Sequence, residues 1–231
     1  MKKTHRFIGK FEIGADRLLI RDAELAHQLR SVLKLRKGEK IVLADGKGRE
    51  ALCSIEDISG AGAEVAVEAR RLSDEPERKV TLYCAVLKSD NFEFVVEKAV
   101  ETGASRIVPV ITARTVKQGI KQERLAKIAH EAAEQCGRGI VPEVACPMAF
   151  RAALKDAAEL DRNYFFDASG EDYPRPQVPC ASVGIWIGPE GGWEDFELDA
   201  ARENKFIIAS LGKLILRAET AAAVATYLTS G

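Results

Sequence analysis

Histidine is scarce in this chain, with three in 231 residues, so a metal site built on imidazoles is not expected. Cys53, Cys84, Cys136, Cys146 and Cys180 are scattered and odd in number, and they form no Cys-x-x-Cys pair. They read as buried thiols of a reducing compartment rather than as disulfides or metal ligands. No apolar run approaches the length of a membrane span. The basic start, Met1-Lys-Lys-Thr-His-Arg6, has no long apolar stretch behind it, so no signal peptide is expected and the cytoplasm is the expected location. Two phosphate-binding fingerprints are also missing: no glycine turn ends in Gly-Lys-Ser/Thr, and there is no Gly-x-Gly-x-x-Gly. Internal repeats and low-complexity tracts are absent too.

What is present is an ordinary globular composition, 46% hydrophobic and 30% charged, with enough chain for one large or two modest domains. The net charge of −1 is unevenly spread. Residues 1–49 hold 13 Lys and Arg against 6 Asp and Glu, a balance of +7 that leaves −8 for the rest. A basic front on a near-neutral protein points to a polyanion touched locally, although a solvated surface without a partner carries the same charge.

The pattern changes at Ser73-Asp-Glu-Pro-Glu-Arg-Lys79, which is polar and lacks apolar periodicity. Residues 1–72 are expected to form a small β-barrel with one helix, 73–79 a linker, and 80–231 an α/β layer fold. In the first part Asp22 caps a helix to Leu33, with Leu25, Leu29, Val32 and Leu33 on one face. Strands are expected at 40–44, 50–55 and 63–69, the first two joined by an Asp45-Gly-Lys-Gly48 turn. In the second part, strands at 80–87, 106–110, 164–166, 183–187 and 206–209 alternate with helices. Asp90-Asn-Phe-Glu93 reads as a capping box opening a helix to Thr102, with Phe92, Val95, Val96, Ala99 and Val100 as its apolar stripe. A helix over 121–136 turns Leu125, Ile128, Ala129, Ala132 and Ala133 inward, and others are expected at 149–159, 194–203 and 218–228.

Two glycine turns carry the functional signal. Ile187-Gly-Pro-Glu-Gly-Gly-Trp193 follows one apolar run, and Leu211-Gly-Lys-Leu-Ile-Leu-Arg-Ala-Glu-Thr-Ala221 follows another. A strand that ends in glycine and opens a helix leaves bare backbone at the sheet's C-terminal edge, where open α/β sheets bind ligands. Glu190 stands where a phosphate would need positive charge. A ligand with little negative charge, gripped by the backbone of Gly188, Gly191, Gly192, Leu211 and Gly212, fits better. An adenine ring against Ile187, Leu211 and Leu216 gives an adenosyl ligand without phosphates, such as S-adenosylmethionine.

Three further segments stand in order along the chain: His27-Gln-Leu-Arg-Ser-Val-Leu-Lys-Leu-Arg36, Lys98-Ala-Val-Glu-Thr-Gly103, and Glu134-Gln-Cys-Gly-Arg138 with Pro142. With the glycine turns they resemble the bacterial small-subunit ribosomal RNA uridine N3-methyltransferases, of the trefoil-knotted SPOUT superfamily. The likeness spans essentially the whole chain. It implies an N-terminal PUA-like β-barrel for RNA and a C-terminal knotted α/β methyltransferase domain. It further implies a homodimer, S-adenosylmethionine as donor, and the 16S RNA of the 30S subunit as partner, with no metal and no membrane. Leu214 departs from the pattern, standing where many relatives have a basic residue, as does Ala218 where many have threonine.

On that resemblance the donor is held by Ile187, Gly188, Pro189, Glu190, Gly191, Gly192, Leu211, Gly212, Ile215 and Leu216. Arg138, Arg217 and Glu219 are the candidates for the reaction itself, although Arg138 also suits a solvated side chain and Glu219 a helix cap. Arg30, Lys34, Arg36, Lys37 and Lys88 are the candidates for RNA, with Arg30 and Lys34 sharing a helix face. The implied reaction is direct methyl transfer to N3 of an unpaired uridine, which must lose its N3 proton. Arg217 or Arg138 would steady negative charge on the uracil carbonyls. The sequence names no acceptor for the proton. Two other readings stay open: a knotted methyltransferase acting elsewhere, such as on a transfer RNA ribose, and a non-catalytic RNA-binding or ribosome-assembly protein.

Overall fold

The structure, a computed structural model, describes residues 4–59, 62–116, 119–174 and 180–231, so Met1, Lys2 and Lys3 of the basic front lie outside the described residues. The chain forms two compact units. One comprises Met1–Glu75 with Ala133–Val141, and the other Pro76–Ala132 with Pro142–Gly231.

The first unit contains β1 (His5–Ile8), β2 (Arg17–Ile20), α1 (Ala23–His27), β3 (Lys40–Ala44), β4 (Arg49–Ile58) and β5 (Ala63–Leu72). Its five strands run in the order β1-β3-β4-β5-β2, parallel only between β1 and β3. Alternation along β3, β4 and β5 buries Ile41, Leu43, Ala51, Cys53, Ile55 and Val65 against Leu29. The β3–β4 turn closes as its sequence predicts. Asp45 Oδ1 accepts from the N–H groups of Lys47 and Arg49 at 2.8 and 3.0 Å. The edge strands β1 and β2, four residues each, escape a pattern-based reading because they are too short to show a period.

The helix after Asp22 is shorter and less regular than its spacing predicts. Asp22 caps α1, accepting from Glu24 and Leu25 at 2.9 and 3.0 Å, but residues 28–32 form a π turn in which Leu33 N–H bonds to Gln28 O. The wider turn shifts the phase of everything after Leu29. Val32, expected on the inward face, is 64% exposed as a result. Lys34 leaves the helix with φ of 53°, so it does not share a helical face with Arg30. The segment after β5 is tied down as well. Ser73 N–H bonds to Gly48 O at 2.9 Å, and Glu75 accepts from Gly139 N–H and Ile140 N–H at 2.9 and 3.0 Å.

The second unit contains β6 (Lys79–Ala85), α2 (Ser89–Glu101), β7 (Ala104–Ile111), most of α3 (Gln122–Cys136), β8 (Glu143–Val144), β9 (Met148–Ala149), α4 (Phe150–Ala157), β10 (Arg162–Asp172), β11 (Ser182–Ile187), α5 (Asp195–Glu203), β12 (Ile207–Ser210) and α6 (Ala218–Ser230). The sheet order is β12-β10-β11-β6-β7-β8, with β9 also on β7, and every pairing is parallel. Such sheets are covered on both faces, which is why β6 and β11 are nearly continuous apolar runs. The expected stripe of α2 is buried throughout, but its capping box is not formed. The helix starts two residues earlier than that box implies, Lys88 occupies the cap without a side-chain bond, and Asp90 becomes a first-turn residue. Cys53 and Cys84 are buried as expected, whereas Cys136 and Cys146 are exposed, lying at a helix end and in a strand connection. No described helix is long and apolar enough to cross a membrane, and no described group of His, Cys, Asp and Glu could hold a metal.

Aromatic stacking organises the core of this unit, and each polar tip is satisfied. The Tyr83 and Trp186 rings stack at 4.4 Å. Trp186 Nε1 donates to Asn163 Oδ1 at 3.2 Å, and Asn163 Nδ2 donates to Ala157 O at 2.9 Å. Asp156 accepts from Tyr83 OH and Arg106 Nη1, both at 2.6 Å. Burial works against the charge on Asp156, but the hydrogen bonds from Arg106 and Tyr83 outweigh it and hold the carboxyl below its ordinary value. A carboxyl depressed on folding stabilises the protein above its unfolded pKa, and that contribution is lost as pH falls. Asp156→Asn is therefore expected to melt below wild type at pH 7, with the gap closing as pH drops below about 4. A gap that persists undiminished at low pH, followed by calorimetry, would exclude the charge as its origin.

Candidate active site

Strand β10 lies between β11 and β12, so the two glycine turns flank the end of β10 rather than each other. Parallel pairing brings all these C-terminal ends to one edge, and a two-lobed cleft opens there. The larger lobe, about 580 Å³, is walled by Lys88 and Asn91 on one side, the turn Ile187–Glu190 with Gly192 and Trp193 on another, and Ile215 to Glu219. The smaller, about 270 Å³, is walled by Ser210 to Leu216. Phe166, Asp167, Ala168, Ile215, Leu216 and Ala221 line both.

The structure brings most of the expected site together. Ile187, Gly188, Pro189, Glu190 and Gly192 face the larger lobe, Leu211 and Gly212 the smaller, and Ile215 and Leu216 both. Lys88, Arg217 and Glu219 join the larger lobe. Gly191 is engaged through its carbonyl, which accepts from Arg114 Nη1. Arg138 lines neither lobe. It belongs to the first unit, buried, with Nε 2.9 Å from Glu75 Oε2. Arg30, Lys34, Arg36 and Lys37 are exposed on the first unit, and none has a side-chain ion pair with a described residue.

The first glycine turn is held from three directions. Gly192 sits at φ 73°, which a side chain would resist, and its N–H bonds to Pro189 O at 2.9 Å. Trp193 packs 4.2 Å from Phe165 and donates its indole N–H to Phe166 O at 3.0 Å. Glu197, fully buried, accepts from Ala113 N–H and Glu194 N–H, each at 3.0 Å. Arg114 adds a bond to Glu194 at 2.8 Å. The second turn is looser: Gly212 takes φ 114°, and Leu214 and Ile215 are 81% and 93% exposed. Leu214, the departure noted in the sequence, is thus an apolar lip of the smaller lobe.

Phe166, Asp167, Ala168, Asn91, Arg114 and Glu197 carry no sequence signal that marks them as parts of the site. A strand at 164–166 is legible, but its place between the two glycine turns follows only from the strand order. Trp193 stands inside the motif, yet its anchoring depends on that same neighbouring strand.

Charge in the larger lobe is mixed, with Lys88 and Arg217 against Asp167, Glu190 and Glu219. Cys84 lies buried beneath; desolvation first, then the charges of Glu190 and Glu219, push its thiol far up, so it is not a nucleophile. Asp167 Oδ1 is taken by Ser169 N–H and hydroxyl at 2.8 and 2.6 Å. Glu219 Oε2 is buried and has no hydrogen-bond partner. A Cβ added at Gly188 would stand 3.0 Å from the Trp193 indole and press on it, so glycine keeps this wall bare backbone without displacing the ring. Bare backbone, apolar walls and nearby carboxylates suit an uncharged heterocycle joined to a cationic group, which is the chemistry of an adenosyl sulfonium.

Comparison with known proteins places this geometry. The RNA methyltransferase domain family matches residues 74–230, and the RNA methyltransferase PUA domain family matches residues 20–68. The chain belongs to the RNA methyltransferase family. The ribosomal RNA small subunit methyltransferase E of Synechocystis is 33% identical over 208 residues, covering 86% of this chain and 68% of that protein. That of Bacillus subtilis is 29% identical over 218 residues, covering 86% and 84%. The crystal structure of the Neisseria gonorrhoeae enzyme, bound to S-adenosyl methionine, superposes with a TM-score of 0.85 at 28% identity, over 97% of this chain and 95% of that one. A Legionella pneumophila putative methyltransferase with bound cofactor gives 0.83 at 28%, over 97% and 96%. The α/β unit therefore has the SPOUT methyltransferase fold, and the small sheet carries the PUA-like domain.

The anchoring can be tested directly. Glu197→Ala removes a buried carboxylate that holds two partly buried N–H groups and should cost about 2 kcal/mol in denaturant unfolding, on the scale of hydrogen bonds to a charged group. Arg114→Ala, on the surface, should cost less. Equal losses would mean that Glu197 is not the pin.

Proposed function

We propose that this methyltransferase transfers a methyl group from S-adenosylmethionine to N3 of a specific uridine in the 16S RNA of the 30S subunit, and that it works in the cytoplasm as a homodimer. The observation that carries the reading is the two-lobed cleft, in which a lobe walled by the Leu211–Gly212 turn adjoins a larger lobe of mixed charge. Leu211, Gly212, Ile215 and Leu216 would hold the adenosyl group, with the Ile187–Gly192 turn closing on the remainder. When bound, the donor supplies an electrophilic methyl carbon on a positively charged sulfur.

The chain's own work is positioning and charge. Fixing the nucleoside against the donor replaces a bimolecular encounter with an aligned one. Arg217 and Lys88, in the charged lobe, stabilise the negative charge that spreads onto the uracil carbonyls when N3 loses its proton. N3 lies on the pairing edge, so the target must be unpaired or turned out of its stack. Arg138 is included on family resemblance; it must leave Glu75 before it can touch RNA. Arg30, Lys34, Arg36 and Lys37, exposed and without a side-chain ion pair among the described residues, are the basic patch for phosphates. Phe94 on α2 and Tyr227 on α6, exposed apolar side chains on helices that pack together, support association with a second copy.

Labelled donor supplied to methyl-deficient 30S subunits should deposit label on uridine N3, identified by nucleoside mass. Label on a ribose or on cytosine would overturn the assignment. Arg217→Ala should lower the transfer rate about 100-fold, as loss of a charge-stabilising donor does, while donor affinity holds. Replacing Arg30, Arg36 and Lys37 with alanine should flatten the salt dependence of RNA binding by about 0.7 in log–log slope for each phosphate left unneutralised. An unchanged slope would remove the patch from the interface.

A further inference from the structure

Uridine presents an imide edge, an N3–H donor between two carbonyl acceptors. A site that reads this edge and then deprotonates it needs an acceptor flanked by cations. The larger lobe contains that set. Lys88 and Arg217 supply positive charge, and Asp167, Glu190 and Glu219 are its carboxylates. Asp167 is engaged by Ser169, and Glu190 is exposed on the glycine turn. Glu219 differs from both. Its Oε2 is sealed from solvent and accepts no hydrogen bond, one of two such buried side-chain oxygens among the described residues. The other, Gln122 Oε1, lies outside the cleft. Buried acceptors are almost always satisfied, so an orphan that lines a cleft points to a donor arriving with a ligand. An ionised carboxylate can only accept, and uridine N3–H is the donor that lies between two acceptors.

We propose that Glu219 is the catalytic residue that accepts the N3 proton of the target uridine, and that the same contact selects uridine over cytosine; this rests on the uridine N3 reading above. The N3–H bond breaks with its proton passing to Oε2 and its electron pair staying on N3. That pair forms the new bond to the methyl carbon as the carbon–sulfur electrons return to sulfur. Arg217, two residues before Glu219, and Lys88 from the start of α2 face the same lobe as cations. Glu190 and Asp167 face it as anions, and the Cys84 thiol packs beneath. Cytosine has no N3 proton to offer and sets its own lone pair against the carboxylate, so it is repelled by the group that receives uridine.

The test compares wild type, Glu219→Gln and Glu219→Asp on methyl-deficient 30S subunits under single turnover, with donor affinity measured separately by calorimetry. Glu219→Gln should slow transfer at least about 100-fold, the usual scale for loss of a general base. Its rate should then climb more steeply with pH than that of wild type, and donor affinity should stay the same. Subunits carrying 5-fluorouridine, whose N3 is more acidic, should narrow the gap between Gln and wild type. Glu219→Asp, which keeps a carboxylate, should be faster than Gln. An unimpaired Gln variant, a loss of donor affinity equal to the loss of rate, or Gln faster than Asp would each overturn the assignment. Failure of wild type itself to label uridine N3 would instead sink the methylation reading.

Discussion

A parallel ladder has one consequence that a mixed sheet lacks: every strand delivers its carboxyl end to the same edge. In this chain β12, β10, β11 and β6 are bonded side by side in one direction, so four exits converge on a single line. The cleft, its two lobes and the mixed charge around them follow from that constraint. If one strand were reversed, a glycine turn or the Lys88 segment would move to the opposite edge.

Convergence alone leaves loops, and the two glycine turns are held to different degrees. The first is anchored by buried groups: the Trp193 indole on the end of β10, and Glu197 on backbone from two segments. A bond left unmade at a buried position is costly, so these contacts restrain the turn. The second turn has left-handed Gly212 and an apolar lip open to solvent, with little to fix it. A stiff wall facing a pliant one suits a cleft that must admit a ligand and then enclose it.

The alternation of strand and helix is legible along the sequence because each element is long enough to show its period, and the buried stripes of α2 and α3 match their spacing residue by residue. Both glycine turns are legible because packing alone seldom calls for a glycine cluster straight after an apolar run. Three things are not. A π turn changes the phase of a helix without leaving a compositional trace, so spacing alone puts Val32 and Lys34 on the wrong faces. Strand order is a long-range property, so the wall supplied by Phe166 to Ala168 stays hidden. Arg138 shows a third limit. A motif marks a residue as special, yet the role visible here is an ion pair with Glu75, sixty-three residues away.

That ion pair belongs to a segment with an unusual itinerary. The chain leaves the first unit after Glu75, returns to it over Ala133–Val141, and departs again at Pro142. Three peptide crossings therefore join the two units, where a simple tandem arrangement has one. The gene cannot be divided at residue 75 into halves that each keep all their bonding partners, because the upstream piece would lack the Arg138 to Ile140 partners of Glu75. Such threading means that the PUA-like unit and the methyltransferase unit cannot be inherited separately with all these bonds intact. A lineage could not readily exchange one of them by recombination while keeping the other intact.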